Sequence, residues 1–528
     1  MNRLQIILFV LIIILAFFLR FYRLGSNPPG LYWDEAAFGY DAYSLAKTAR
    51  DHHGQFLPLF FESFGDWKLP GYFYLLIPSV KLFGLSEFAV RLPSALLGFL
   101  TVMIFFFVIK KLTDDVRLAL ASMFFLAISP WHLQFSRAGF ESTAGLFFFM
   151  LGALFFLRFL STKYSLTIGA SLLFFILSMY FYHAYRIFTP LMVIALFIIY
   201  FDKFKKFISK LILPIIVSLV LFLPILLFTF STQGRARAIS QSAFNKSSYE
   251  IARVNYDQKS KKPLRFLSKY WNKPVYFSYI AINNYVDHFS PIFLFIAGDQ
   301  IGRHSQVDVG QIYPFELILL IFSLFAIKKL DKKTTKVMLS FLLLAAIPAA
   351  IVVPTPHAYR TLQMSVPLAF FSGVGFTYLL SQKKLLIFKL LILAVIFYSF
   401  VTYLHLSYVH YPKKFSADWQ DGYREMVRKI QKYQGNFQHV YVTNINQVPY
   451  IYLLFYQKYN PQKFIQTGGT KDTFDKYVFI DDQTEIYNKG KILYVAPSWK
   501  KVDGVWLDAV DDSAGRHIYS LWEVNGQN

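Results

Sequence analysis

Apolar runs of about 17–22 residues recur along this chain, each matched to the hydrocarbon thickness of a bilayer. They fall at about 4–22, 88–109, 116–134, 143–160, 165–182, 187–201, 209–230, 313–328, 337–353, 362–381 and 385–405. Backbone groups inside lipid must be satisfied within the segment, so runs of this length fold as helices. The composition agrees: of 528 residues, 55% are hydrophobic and 19% aromatic, more than a soluble interior of this size can hide. The expected fold class is a polytopic α-helical membrane protein with about 11 transmembrane helices.

A net charge of +23 could point to nucleic acid, but the cations sit in short clusters between apolar runs. Lys110-Lys111 with Arg117, Arg158 with Lys163, Lys203 to Lys210, Lys328 to Lys336 and Lys383-Lys384 all share one side if the eleven spans alternate, and Arg3 joins them. The positive-inside rule makes that side cytoplasmic, placing the C-terminus outside. The expected location is the inner (plasma) membrane, with no nucleic-acid partner. Leu4 to Leu19 resembles a signal peptide, but no small-residue cleavage site follows it, so it is read as an uncleaved first span.

Three outer segments are long: about 23–87, 231–312 and the tail from 406. The first contains 69–84, too short and proline-broken to span comfortably, and read as an interfacial or re-entrant helix. The tail changes character. Gly422 to Gln434 has helical spacing, a second helix covers Tyr450 to Tyr459, and strand-like runs occupy His439–Val442, Tyr477–Ile480, Ile492–Val495 and His517–Trp522. The chain divides into a membrane domain, 1–405, and an extracytoplasmic α/β domain, 406–528.

The chemistry concentrates in Leu31-Tyr-Trp-Asp-Glu-Ala-Ala-Phe-Gly-Tyr-Asp-Ala-Tyr43, just beyond the first span. Acids at a membrane surface are costly to desolvate and tend to be functional. Asp34 can be an N-cap with Glu35 a first-turn acid; a carboxylate here can equally serve as a general base, and the two roles are compatible. Asp41 reads as structural. On the same outer side lie Arg91, Arg137 with Glu141, His183 with Arg186, Arg303-His304, and His357 with Arg360. Any one of these can be an ordinary interfacial residue. Together they form a set suited to phosphate, which arginine binds bidentately. There is no cysteine, which excludes disulfides and thiol catalysis and argues against a structural zinc site. The phosphate-loop, zinc-protease and serine-hydrolase motifs are absent.

Pro29-Gly-Leu-Tyr-Trp-Asp-Glu35, Trp67-Lys-Leu-Pro-Gly-Tyr-Phe-Tyr74 and Leu82-Phe-Gly-Leu-Ser-Glu-Phe-Ala-Val-Arg-Leu-Pro-Ser94 resemble the N-terminal core of the bacterial GT-C glycosyltransferases, relatives of protein O-mannosyltransferases and of lipid A aminoarabinose transferase. Gly298–His304 and Pro356–Pro367 resemble later segments of one bacterial branch. The resemblance implies transfer of a sugar from a polyprenyl-phosphate donor to an acceptor hydroxyl on a protein, lipid or glycan, usually with inversion. It places the catalytic acid at Asp34 with Glu35 beside it, and the donor phosphate among Arg91, Arg137, Arg303, His304, His357 and Arg360. It implies no cofactor; some enzymes of this fold need a divalent metal, and none is expected here. The competing readings are a lipid-linked glycan transporter or flippase, which would place charges mid-span or show repeats, and an O-antigen-ligase-like transferase, against which the first-loop acid pair and the tail argue.

Overall fold

A computed structural model of the protein describes residues 1–204, 207–244, 273–306, 308–445, 448–481 and 490–526. Part of the second outer segment, 245–272, therefore lies outside the described residues. A helix stands at each of the eleven expected spans. Among the described residues, seven helices are long and apolar enough to cross a membrane, or eight with one bent pair: α1 (Arg3–Phe21), α4 (Glu87–Thr113), α7 (Glu141–Thr162), then Leu211–Phe230, Lys332–Ala350, Leu362–Ser381 and Leu386–Lys414. The bent pair joins α5 (Val116–Ile128) to α6 (Pro130–Ser136) at 58°. Pro130 cannot donate to the ladder and breaks the helix there. Arg20 of α1 donates to the freed carbonyls of Ala127 and Leu126 at 3.2 and 3.4 Å.

The other three expected spans are shorter. Helices α8 (Ser165–Met179) and α9 (Tyr185–Ile199) have 15 residues each, and Pro314–Ala326 has 13. At 1.5 Å per residue they reach only about 20–23 Å, less than the hydrocarbon core.

Between α1 and α4, the first outer segment folds into helix α2 (Trp33–Thr48), a two-stranded hairpin of β1 (Phe61–Ser63) and β2 (Asp66–Lys68), and helix α3 (Gly71–Phe83) at the expected short apolar stretch. The hairpin turns on Phe64-Gly65, with φ of 55° and 76°. Two left-handed residues in a two-residue loop match the strand twist, which glycine makes easy.

The tail carries a six-stranded mixed sheet in the order β4-β5-β3-β6-β8-β7, made of β3 (His439–Thr443), β4 (Thr473–Phe474), β5 (Tyr477–Ile480), β6 (Gly490–Pro497), β7 (Val505–Asp511) and β8 (His517–Gly526). β3 runs parallel to both β5 and β6, while β8 is antiparallel to β6 and β7. The expected helices appear as Tyr423–Tyr433 and Pro449–Tyr456.

The tail is not a separate bead. One buried core takes Leu31, Phe38 and Phe73 from the first segment together with Val440, Ile451, Leu454 and Phe455 from the tail. Tyr452 Oη donates to the Leu31 carbonyl at 3.0 Å, and Tyr40 Oη to the Tyr459 carbonyl at 3.1 Å. Gly39 permits the contact: a Cβ there would lie 2.6 Å from the Phe455 ring and 2.7 Å from Val90. Gly39→Val should lower the stability of the purified protein by about 1–3 kcal/mol through overpacking, read as a fall in the thermal midpoint in detergent. An unchanged midpoint would mean that the tail does not dock on α2.

Candidate functional site

The site is built on the first turn of α2. Its N-cap is Tyr32, not Asp34, and no side chain of the helix itself caps it. The Trp33 amide donates instead to Gln420 Oε1 from the tail, at 2.7 Å. Released from capping, Asp34 turns to the hairpin, where Lys68 Nζ approaches its Oδ2 to 3.1 Å. The two side chains keep 18% and 12% exposure, so this pair is sheltered but reachable. Lys68 also lies 3.8 Å from Asp66 and within electrostatic reach of Glu141.

Glu35 points the other way and is wholly buried. Its carboxylate takes Arg91 Nε at 3.0 Å and Nη2 at 3.2 Å, and the Gly139 amide at 2.6 Å. The remaining N–H groups of Arg91 go to the carbonyls of Leu24 (3.3 Å), Pro28 (2.8 Å) and Gly30. All five donors are used and the side chain is fully buried. Arg91 and Glu35, expected at the donor phosphate and the catalytic position, stand here as a fully partnered buried pair: a buried charge must be paired and hydrogen-bonded to be tolerated.

Arg137 is similarly committed. It donates to the carbonyls of Leu19 (2.7 Å), Tyr22 (2.9 Å) and Asn27 (3.0 Å), closing the end of α1, and its guanidinium lies over Tyr408. These contacts fasten the loop that follows α1.

Arg303 does reach the site. Its guanidinium sits 5.2 Å from the Tyr32 ring and 5.1 Å from the Trp33 ring, and donates to the Asp418 carbonyl at 2.6 Å. Cation and ring faces attract, which fixes this charge beside the residues that flank Asp34. Glu141, in the first turn of α7, accepts from the Tyr359 hydroxyl. Burial, then the Glu141 charge, pushes the Tyr359 hydroxyl well above its ordinary pKa, so it stays a donor.

Behind Tyr359 lie His304 and His357, their ring centroids 4.8 Å apart. His304 Nδ1 is 3.2 Å from Asp299 Oδ2. Burial raises the Asp299 carboxyl, but the His304 contact and the amides of Ile301 and Ala358 outweigh it and hold Asp299 below its usual range. Burial, then the His304 charge, pushes His357 well below the usual histidine range, so it is neutral. Arg360 lies on the far side, donating to the Val353 carbonyl at 3.0 Å and to Gln241 Oε1 at 3.4 Å.

The structure thus gathers Asp34, Arg303, His304 and His357 around Tyr359 and Glu141, holds Arg360 at the margin, and spends Glu35, Arg91 and Arg137 on the scaffold. Lys68 and Tyr359 are absent from the expected set, although both lie inside the segments that carried the resemblance. Asp41 is structural: it pairs with His52 Nδ1 at 2.6 Å and takes the His52 amide at 2.9 Å.

Comparison with known proteins follows this geometry. Residues 10–233 match the family model "Dolichyl-phosphate-mannose-protein mannosyltransferase". No curated protein matches the sequence. Among solved structures, ArnT from Cupriavidus metallidurans bound to undecaprenyl phosphate is 12% identical over 97% of both chains, with a TM-score of 0.56. The archaeal oligosaccharyltransferase AglB from Archaeoglobus fulgidus, in complex with an inhibitory peptide and a dolichol-phosphate, is 14% identical over 86% of this chain, with a TM-score of 0.52. This chain spans 63% of that enzyme's length. A second structure of the Archaeoglobus fulgidus oligosaccharyltransferase, with Zn and sulfate, gives 13% identity over 85% of this chain and 61% of that one, with a TM-score of 0.50. The fold is that of the GT-C membrane glycosyltransferases.

Removing one partner of the Arg91–Glu35 pair should be costly. Arg91→Met leaves Glu35 charged and buried, and should destabilise the protein by about 3–5 kcal/mol. The double variant R91M/E35Q should recover part of that loss in thermal unfolding. Recovery of none would show that the loop carbonyls, not the carboxylate, dominate the pair.

Proposed function

We propose that the protein is a membrane glycosyltransferase that moves a sugar from a polyprenyl-phosphate donor to an acceptor hydroxyl at the outer membrane face, with inversion. The observation that carries this reading is the reachable Asp34 carboxylate, held by Lys68 with Arg303 close by. Asp34 is the general base. It takes the acceptor proton as the oxygen attacks C1 of the sugar. As the C1–phosphate bond breaks, negative charge grows on the phosphate. Lys68 and Arg303 are placed to receive it: Arg303 with a planar fork held by two aromatic faces, Lys68 as a point charge. Arg360 can join from the margin.

This reading keeps the eleven-span topology, the cytoplasmic N-terminus and the outer tail, because they put Asp34, Lys68 and Arg303 on one side. Its support is the family match over 10–233 and the shared fold with enzymes whose structures hold undecaprenyl phosphate and dolichol-phosphate. The partners are the lipid donor, the bilayer and a protein, lipid or glycan acceptor.

Purified protein in detergent, given a panel of radiolabelled polyprenyl-phosphate sugars and crude membrane acceptor, should transfer sugar from one of them. Asp34→Asn should lower the rate by about a hundredfold or more while folding normally. Lys68→Met should slow transfer and raise the apparent KM for the donor. Wild-type rates in Asp34→Asn would remove Asp34 from the chemistry and overturn the assignment.

A further inference from the structure

Asp299, His304 and His357 are all buried and each offers one ligand atom, these atoms lying within 4.8 Å of one another. They come from two separated segments, and the Asp299 carboxylate ties those segments together: Oδ2 accepts the Ala358 amide at 2.7 Å, and Oδ1 the Ile301 amide at 2.9 Å. The His357 backbone is fastened as well, its amide donating to His288 Nε2 at 3.1 Å. Its ring is not: His357 Nδ1 is buried with no hydrogen-bond partner. A buried ring nitrogen without a partner costs free energy unless something fills the gap.

We propose that these three side chains form a binding site for a divalent transition-metal cation of the zinc class. Two imidazoles and a carboxylate are the donors such a cation prefers, and magnesium and calcium favour all-oxygen sets instead. Ligands about 2.0–2.1 Å from a tetrahedral metal stand about 3.3 Å from one another. His304 Nδ1 and Asp299 Oδ2 stand 3.2 Å apart as a hydrogen-bonded pair, and a cation would take the place of the proton between them. The ligand atoms must draw together by up to about 1.5 Å, and the buried His357 Nδ1 has no hydrogen bond to give up. Three protein ligands leave one position open. Tyr359 neighbours the cluster: its ring lies 5.7 Å from His304 and 6.5 Å from His357, and its hydroxyl meets Glu141. The suggested task at that position, to take an oxygen of the donor phosphate, rests on the transferase reading; metal uptake does not.

The test uses the full-length untagged protein in detergent, stripped with a chelator and titrated with Zn²⁺ by calorimetry and with Co²⁺ by visible absorption. The exposed pair His405 and His410, with Nε2 atoms 3.1 Å apart, could also collect zinc, so the H405Q/H410Q background is measured alongside. One saturable equivalent is expected in both proteins. Asp299→Asn or His357→Gln should weaken it at least about tenfold. X-ray absorption of the zinc-loaded H405Q/H410Q protein should count two imidazole nitrogens, which keeps the proposal testable if a ligand variant fails to fold. No saturable uptake, uptake lost in H405Q/H410Q, or fewer than two imidazoles on the metal would overturn it.

Discussion

The buried Glu35–Arg91 pair sets the geometry on which the site depends. Neither side chain reaches water, so each must be fully partnered, and the partners are scattered: loop carbonyls at 24, 28 and 30, the helix carboxylate, and the Gly139 amide. Satisfying one guanidinium therefore fixes the path from α1 into α2, the depth of α2 and its distance from α7. Consecutive helix residues point about 100° apart. With Glu35 locked inward, Asp34 is left to point along the surface toward Lys68. The adjacent acids in Trp-Asp-Glu thus divide into a buried anchor and a reachable carboxylate.

The tail is part of the same construction. It supplies the Gln420 oxygen that caps α2, the Asp418 carbonyl that holds Arg303, and the Phe455 ring that lies against Gly39. A hydrogen bond to a charged donor is worth about 1.5–3 kcal/mol, so Asp418 does more than graze the arginine. The surface around Asp34 is consequently built by segments hundreds of residues apart.

Much of this was legible in the sequence. Long apolar runs have no stable form in lipid but helices, so a helix stands at every expected span; the physics weighs length too, and three of them fall short of a full crossing. Strand alternation located β3, β5, β6 and β8. It missed β7, because a bulge between Trp506 and Asp508 breaks the two-residue period. The sequence also pointed to Asp34, but it could not divide the arginines. Arg91, Arg137 and Arg303 look alike as isolated cations near span ends; only tertiary structure shows that loop carbonyls consume the first two while two aromatic faces hold the third. Lys68 escaped notice because its meaning comes from a hairpin that turns it back on a residue 34 positions earlier.

Charge balance gives the final constraint. Asp34, Asp66 and Glu141 contribute three negative charges when ionised, and Lys68 with Arg303 two positive ones, so the gathered site is at most neutral. On the transferase reading, a sugar phosphodiester brings one negative charge, and the phosphate that leaves carries about −1.5 to −2 near neutral pH. The charge that grows during bond breaking is what a catalyst must stabilise, and preorganised cations in a sheltered site do so most effectively. A neutral constellation is poorly matched to that demand. A divalent cation held by Asp299, His304 and His357 would add a net positive charge beside Tyr359. On the transferase reading, the departing phosphate would thereby gain the partner that the paired side chains alone do not supply.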